Sequence, residues 1–137
     1  MSNSVSRILM FPIKGDNRGS LIALEEMSDL VPFEIKRCYY IFDTTPGTIR
    51  GLHAHRNLKQ VLICVSGSCT IVCDNGKERT EFHLDWPDKG VLIEGLVWRE
   101  MKNFSKGAVL LVLASEHYDE ADYIRNNASF IEEVTHG

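Results

Sequence analysis

Gln60-Val61-Leu62-Ile63-Cys64-Val65, then Ser66-Gly67-Ser68, then Cys69-Thr70-Ile71-Val72-Cys73 and Asp74-Asn75-Gly76 form the stretch whose reading decides the fold. Two short apolar runs, rich in β-branched residues, are separated by a Ser-Gly-Ser break. Each is too short for a buried helix, and branching at Cβ suits a pleated surface. Asn75-Gly76 fits a two-residue type I′ turn, so residues 69–73 are expected to fold back as a hairpin onto residues 80–84. Outward from this centre, residues 20–24, 35–42, 90–93 and 108–114 repeat the pattern between turn residues. Strands at such spacing, roughly every 8–12 residues, indicate an all-β sandwich or barrel.

Helical pattern is confined to the end of the chain. Asp119, Glu120 and Asp122 suit a helix N-terminus, and Tyr123, Ile124, Phe130, Ile131 and Val134 space out as one apolar face. That face is expected to pack on the barrel. The reading is a single domain spanning residues 1–137, without repeat or linker.

Composition narrows the function. Nineteen acids against 15 bases give a net charge of −4, so no overall field draws nucleic acid. No segment reaches the roughly 18 apolar residues of a membrane span. The N-terminus lacks a secretion signal, which predicts a cytoplasmic protein. Cys38, Cys64, Cys69 and Cys73 lie in apolar runs without CxxC spacing and read as buried free thiols.

The chemistry gathers in Arg50-Gly51-Leu52-His53-Ala54-His55-Arg56. Histidines at i and i+2 of a strand share a face, and imidazole titrates near neutral pH. An exposed polar strand edge is the bland reading; metal binding and acid/base catalysis are the functional ones. A β-barrel with His-x-His near its middle resembles the cupin superfamily. His53 and His55 match the pair, Gln60 stands where that motif has Glu, and Gly67 matches its closing Gly. The second motif aligns with residues 94–99, where Arg99 stands and no His occurs. A cation needs several anionic or neutral donors. Gln60 brings no charge and Arg99 repels a cation, so proton transfer without metal or cofactor is the preferred reading.

Longer segments make the resemblance more specific. Arg18-Gly-Ser-Leu21, Ile35-Lys-Arg-Cys-Tyr-Tyr-Ile-Phe-Asp-Thr44, Arg50-Gly-Leu-His-Ala-His55 and Tyr118-Asp-Glu-Ala-Asp-Tyr-Ile-Arg125 look like the sugar-nucleotide 3,4-ketoisomerases, over about residues 13–130. The resemblance implies a cupin jelly-roll with a short C-terminal helical segment, a homodimer, and a dTDP-linked 4-keto-6-deoxyglucose substrate. It further implies a place in making deoxyamino sugars for bacterial surface glycans, such as lipopolysaccharide O-antigen or S-layer glycan. It assigns His53 and His55 to proton transfer, with His55 favoured as the carbon base, a choice that spacing alone leaves open.

Tyr39 is expected to orient a histidine or donate to a sugar oxygen, while Tyr40, on the opposite face, reads as core. Arg37 shares a face with Tyr39, and Arg50 flanks the histidine strand; both suit diphosphate oxygens. Arg18 and Arg99 are expected near the sugar, Gln60 against a histidine or the sugar, and Trp98 in the core. A dTDP-sugar 3,5-epimerase-like enzyme and a non-catalytic sugar-nucleotide-binding cupin are the competing readings.

Overall fold

The apolar runs 60–65 and 69–73 become strands of two different layers, so Ser66-Gly67-Ser68 is a crossing between sheets. Gly67 makes it with a φ of +71°, and a Cβ there would lie 2.9 Å from the Ala108 Cα. Residues 4–136 are described, in a computed structural model. In chain order the strands are β1 (Val5–Met10), β2 (Lys14–Asp16), β3 (Gly19–Leu21), β4 (Arg37–Ile41), β5 (Arg50–His55) and β6 (Gln60–Ser66). Then follow β7 (Cys69–Asp74), β8 (Arg79–Leu84), β9 (Lys89–Glu94), β10 (Trp98–Lys102), β11 (Val109–Ala114), β12 (Tyr123–Ile124) and one helix, α1 (Asn127–His136).

One sheet has the order β1-β9-β6-β11-β4 and the other β12-β5-β10-β7-β8, while β2 and β3 pair only with each other. Every pairing is antiparallel, as an all-β jelly-roll sandwich requires.

Strand β6 explains why its run is continuously apolar rather than alternating: both of its faces are covered. Leu62 and Cys64 meet Ile71, Cys73, Leu84 and Met101 between the sheets. Val61 and Ile63 point outward under Leu9, Phe11, Val31 and Phe33. Fully burying a Leu, Ile or Phe contributes about 1.5–3 kcal/mol, so this shared strand anchors the whole sandwich. Trp98 is core, as expected, against Phe130 of α1 with ring centroids 5.9 Å apart.

The structure corrects several local expectations. The β7–β8 hairpin forms, but Asp74 pairs with Arg79, so the loop spans residues 75–78 rather than two residues. Asn75 Oδ1 accepts both Lys77 N–H and Glu78 N–H, which stabilises the longer turn. Cys38 and Tyr40 are exposed because they point outward from edge strand β4, which the N-terminal layer leaves uncovered. Helix starts at Asn127; the preceding acids instead cap a single 3-10 turn, Glu120–Asp122, through Asp119. Tyr123 and Ile124 leave that turn as β12, paired to β5.

Candidate active site

The histidine strand bends before it reaches the site. Gly51 and Leu52 both have positive φ, +82° and +53°, a conformation that costs energy for a leucine. The bend faces a register shift in β10 between Arg99 and Glu100. It also brings the Gly51 carbonyl 2.8 Å from Nδ1 of His53. A carbonyl only accepts, so the neutral imidazole donates from Nδ1 and keeps its lone pair on Nε2.

Beyond the bend, alternation resumes. His53 and His55 share the inner face, with ring centroids 4.7 Å apart and nearly perpendicular. Tyr123, opposite His55 in the register of β12, completes an aromatic trio at 4.2 Å from His55 and 5.0 Å from His53. Asp122 closes the far side: its carboxylate accepts the backbone N–H groups of Arg56, Asn57 and Leu58. One of its oxygens lies 3.3 Å from His55 Nδ1, in contact but not aligned for a hydrogen bond.

Burial, reinforced by the Arg99 charge, lowers His53 to about 4. The same causes, with His53 added, lower His55 to about 2. Both imidazoles are therefore neutral at pH 7, and the His55–Asp122 contact is not an ion pair.

Arg99 points from β10 into the interior and is fully buried. Its Nη1 donates to Gln60 Oε1 at 2.6 Å and its Nη2 to the Val97 carbonyl at 2.9 Å. Gln60 Nε2 in turn donates to the Tyr39 hydroxyl at 3.1 Å. Gln60 thus bonds the phenol and the guanidinium, neither histidine. Desolvation pulls Arg99 down to about 10, still charged at pH 7. No carboxylate lies within ion-pair distance of Arg37, Arg50 or Arg99 among the described residues.

A cavity of about 260 Å³ opens onto this cluster, walled by Arg37, Tyr39, Arg50, His53, Tyr123 and Arg125 among others. Arg37 lies over the Tyr39 and Tyr118 rings, and Arg125 over Tyr123. Arg125 is already engaged by Glu120 through two hydrogen bonds, which leaves Arg37 and Arg50 as the uncompensated cations of the wall. Another cavity, of about 280 Å³, lies outside the first sheet beside Phe11 and Trp86, with no titratable side chain in its wall and hence no means of moving protons.

Of the residues expected from sequence, Tyr39, Arg37, Arg50 and His53 meet at the cavity wall. His55, Gln60 and Arg99 are buried and are absent from that wall. Arg18 stands apart on the exposed β2–β3 hairpin, paired with Asp16, because that hairpin joins neither main sheet. Tyr123 and Asp122 were missed as site residues: the acids before Tyr123 imitate a helix start, and only the adjacent pair Tyr123-Ile124, one facing the site and one the core, marks a strand.

Cupins often hold a divalent metal between the histidine pair and further ligands. The donors here do not fit one. Gln60 Oε1 is taken by Arg99, a cation lies behind the histidines, and no group of three or more His, Cys, Asp or Glu suited to a metal occurs among the described residues.

This sandwich, with two neutral histidines, a phenol and unpaired guanidiniums about one cavity, defines a cupin-type enzyme equipped for proton transfer. The family described as FdtA: WxcM-like, C-terminal, matches residues 4–135, and the chain belongs to that family. It is 47% identical over 125 residues to a TDP-4-oxo-6-deoxy-alpha-D-glucose-3,4-oxoisomerase of Aneurinibacillus thermoaerophilus, covering 91% of this chain and 89% of that one. The WlaRB TDP-quinovose 3,4-ketoisomerase of Campylobacter jejuni superposes with a TM-score of 0.88 at 57% identity, covering 93% of this chain and 97% of that one. The QdtA 3,4-ketoisomerase of Thermoanaerobacterium thermosaccharolyticum, as a histidine-to-asparagine mutant in complex with TDP-4-keto-6-deoxyglucose, gives a TM-score of 0.91 at 43% identity, covering 96% and 94%.

Proposed function

We propose that the chain moves the ketone of dTDP-4-keto-6-deoxyglucose from C4 to C3 by histidine-mediated proton transfer. The observation that carries this reading is the neutral histidine pair, with His53 on the wall of one cavity beside Tyr39 and the carboxylate-free guanidiniums of Arg37 and Arg50. A base takes the C3 proton, and electrons shift to give an enediolate across C3 and C4. A proton returns to C4, and the hydroxyl proton passes from O3, which becomes the carbonyl, to O4, which becomes the hydroxyl.

His53 is the better carbon base than His55. It stands on the cavity wall with Nδ1 engaged and the Nε2 lone pair available, while His55 is 1% exposed behind it. His55 suits the hydroxyl proton, Tyr39 the oxygen that gains negative charge, and Arg37 and Arg50 the diphosphate. Behind the wall, Gln60 and Arg99 act on the sugar's oxygens through Tyr39 and through the Arg99 charge.

The same reading includes a cytoplasmic homodimer. The β2–β3 hairpin is exposed along its whole length, and a lone hairpin is marginal in water. Within its own protomer Arg18 lies off the cavity, so a second copy's cavity is the one left for it to serve.

The deciding experiment is incubation with dTDP-4-keto-6-deoxyglucose in D2O, followed by proton NMR. A 3-keto product with deuterium or transferred proton at C4 is expected, and its couplings give the C4 configuration. Exchange at C5 would make the enzyme an epimerase. Binding without conversion would make it a sugar-nucleotide-binding cupin.

A further inference from the structure

We propose that Gln60 is a positioning residue whose amide, clamped by Arg99, fixes Tyr39 as a hydrogen-bond donor toward the cavity. A guanidinium has donors and no acceptor. Arg99 therefore holds the oxygen end of the Gln60 amide, at 2.6 Å, and the amide can meet Tyr39 only through its NH2 end, at 3.1 Å. An amide NH2 does not accept, so the phenol oxygen receives that bond on a lone pair. Its own O–H has no acceptor among the described residues, and the ring lies in the cavity wall.

Gln60 is 1% exposed and Arg99 fully buried, so solvent does not scramble the arrangement. Burial also raises the Tyr39 phenol above its ordinary value, which keeps the proton in place at neutral pH. Resting on the isomerase reading, the donated proton faces the substrate oxygen that becomes anionic in the enediolate. A fixed donor there strengthens its bond as charge develops.

The residue type at position 60 is thus a polarity switch. Glu has nearly the same shape and would ion-pair with Arg99. Its second oxygen would accept the Tyr39 O–H and withdraw that proton from the substrate. The test is Gln60→Glu, assayed with chelator present so that no adventitious metal contributes. The expected variant melts no lower than the parent, keeps KM within a few-fold and loses kcat about 100-fold, the size of one acid–base contribution. Tyr39, followed by 13C NMR of its Cζ, titrates at higher pH than in the parent.

The double variant Tyr39→Phe with Gln60→Glu is expected to be no slower than Tyr39→Phe alone, because both act through one proton. Losses that multiply in the double variant, or an unshifted Tyr39 titration, overturn the proposal. If Gln60→Glu does not fold, the parent decides: an NOE from the Gln60 side-chain NH2 to the Tyr39 ring is expected, and its absence overturns the assignment. A parent protein that leaves the ketosugar unchanged would instead sink the isomerase reading, while the titration still reports the hydrogen-bond polarity.

Discussion

His53 is neutral at pH 7 because burial and the Arg99 charge disfavour its protonated form, and that has consequences for both rate and stability. In the unfolded chain the imidazole titrates near 6.5; in the folded one it titrates at about 4. Between those values the unfolded state binds the extra proton, so stability is lost as pH falls through this window. The loss from His53 is on the order of 3 kcal/mol. Urea unfolding at successive pH values is expected to show it, and His53→Asn should flatten that part of the curve. The same low value keeps the base unprotonated, so kcat/KM is expected to stay level on the acid side down to about pH 5. An acid limb centred near 6.5 would mean that the working histidine is ordinarily solvated. His53→Asn itself should lower kcat by about 100-fold or more, leaving binding nearly intact.

At the level of elements, the bend in β5 sets the histidine geometry. Gly51 occupies the left-handed region, and a Cβ there would lie 3.0 Å from the Arg99 carbonyl. Gly51→Ala is therefore expected to cost about 1–3 kcal/mol in stability. It should also slow catalysis beyond what that loss explains, because the carbonyl that fixes the His53 tautomer moves with it. Urea midpoints together with kcat measure both, and an Ala variant matching the parent in both would show that the bend is incidental. This bend was not read from the sequence, because alternation of the two histidines says nothing of the backbone at Gly51 and Leu52, whose positive φ appears only in the fold. The strands with continuous apolar runs, β6, β7 and β11, were legible because burial on both faces leaves no other composition. Strand β12 was not, because two residues give no period and Asp119, Glu120 and Asp122 carry a helix-start signal that is used up in one 3-10 turn. The shared face of the histidine pair was legible from alternation, whereas the roles of the pair and of Tyr39 rested on the family resemblance. The buried link from Arg99 through Gln60 to Tyr39 was not, since it joins β10, β6 and β4, which only the two-sheet packing brings together.

For the whole molecule, the outer face of the first sheet carries exposed apolar residues around a cavity. Ile13, Leu21, Val65 and Trp86 are 42–59% exposed on or near an apolar cavity there, and the β2–β3 hairpin stands beside them without a sheet to join. An exposed apolar patch of this kind marks an interaction surface. A second copy is the occupant the proposed dimer requires, since it would cover the patch and bring its Arg18 hairpin toward the neighbouring cavity. Sedimentation velocity is expected to give a dimer at micromolar concentration. Trp86→Lys places a charge in the patch while leaving the cavity residues around His53 untouched, and should shift the protein toward monomer. If Arg18 serves the neighbour's site, the Trp86→Lys monomer and Arg18→Ala should show similar losses of kcat/KM, and combining them should add little. A fully active monomer would assign the patch to another use and leave Arg18 outside the reaction.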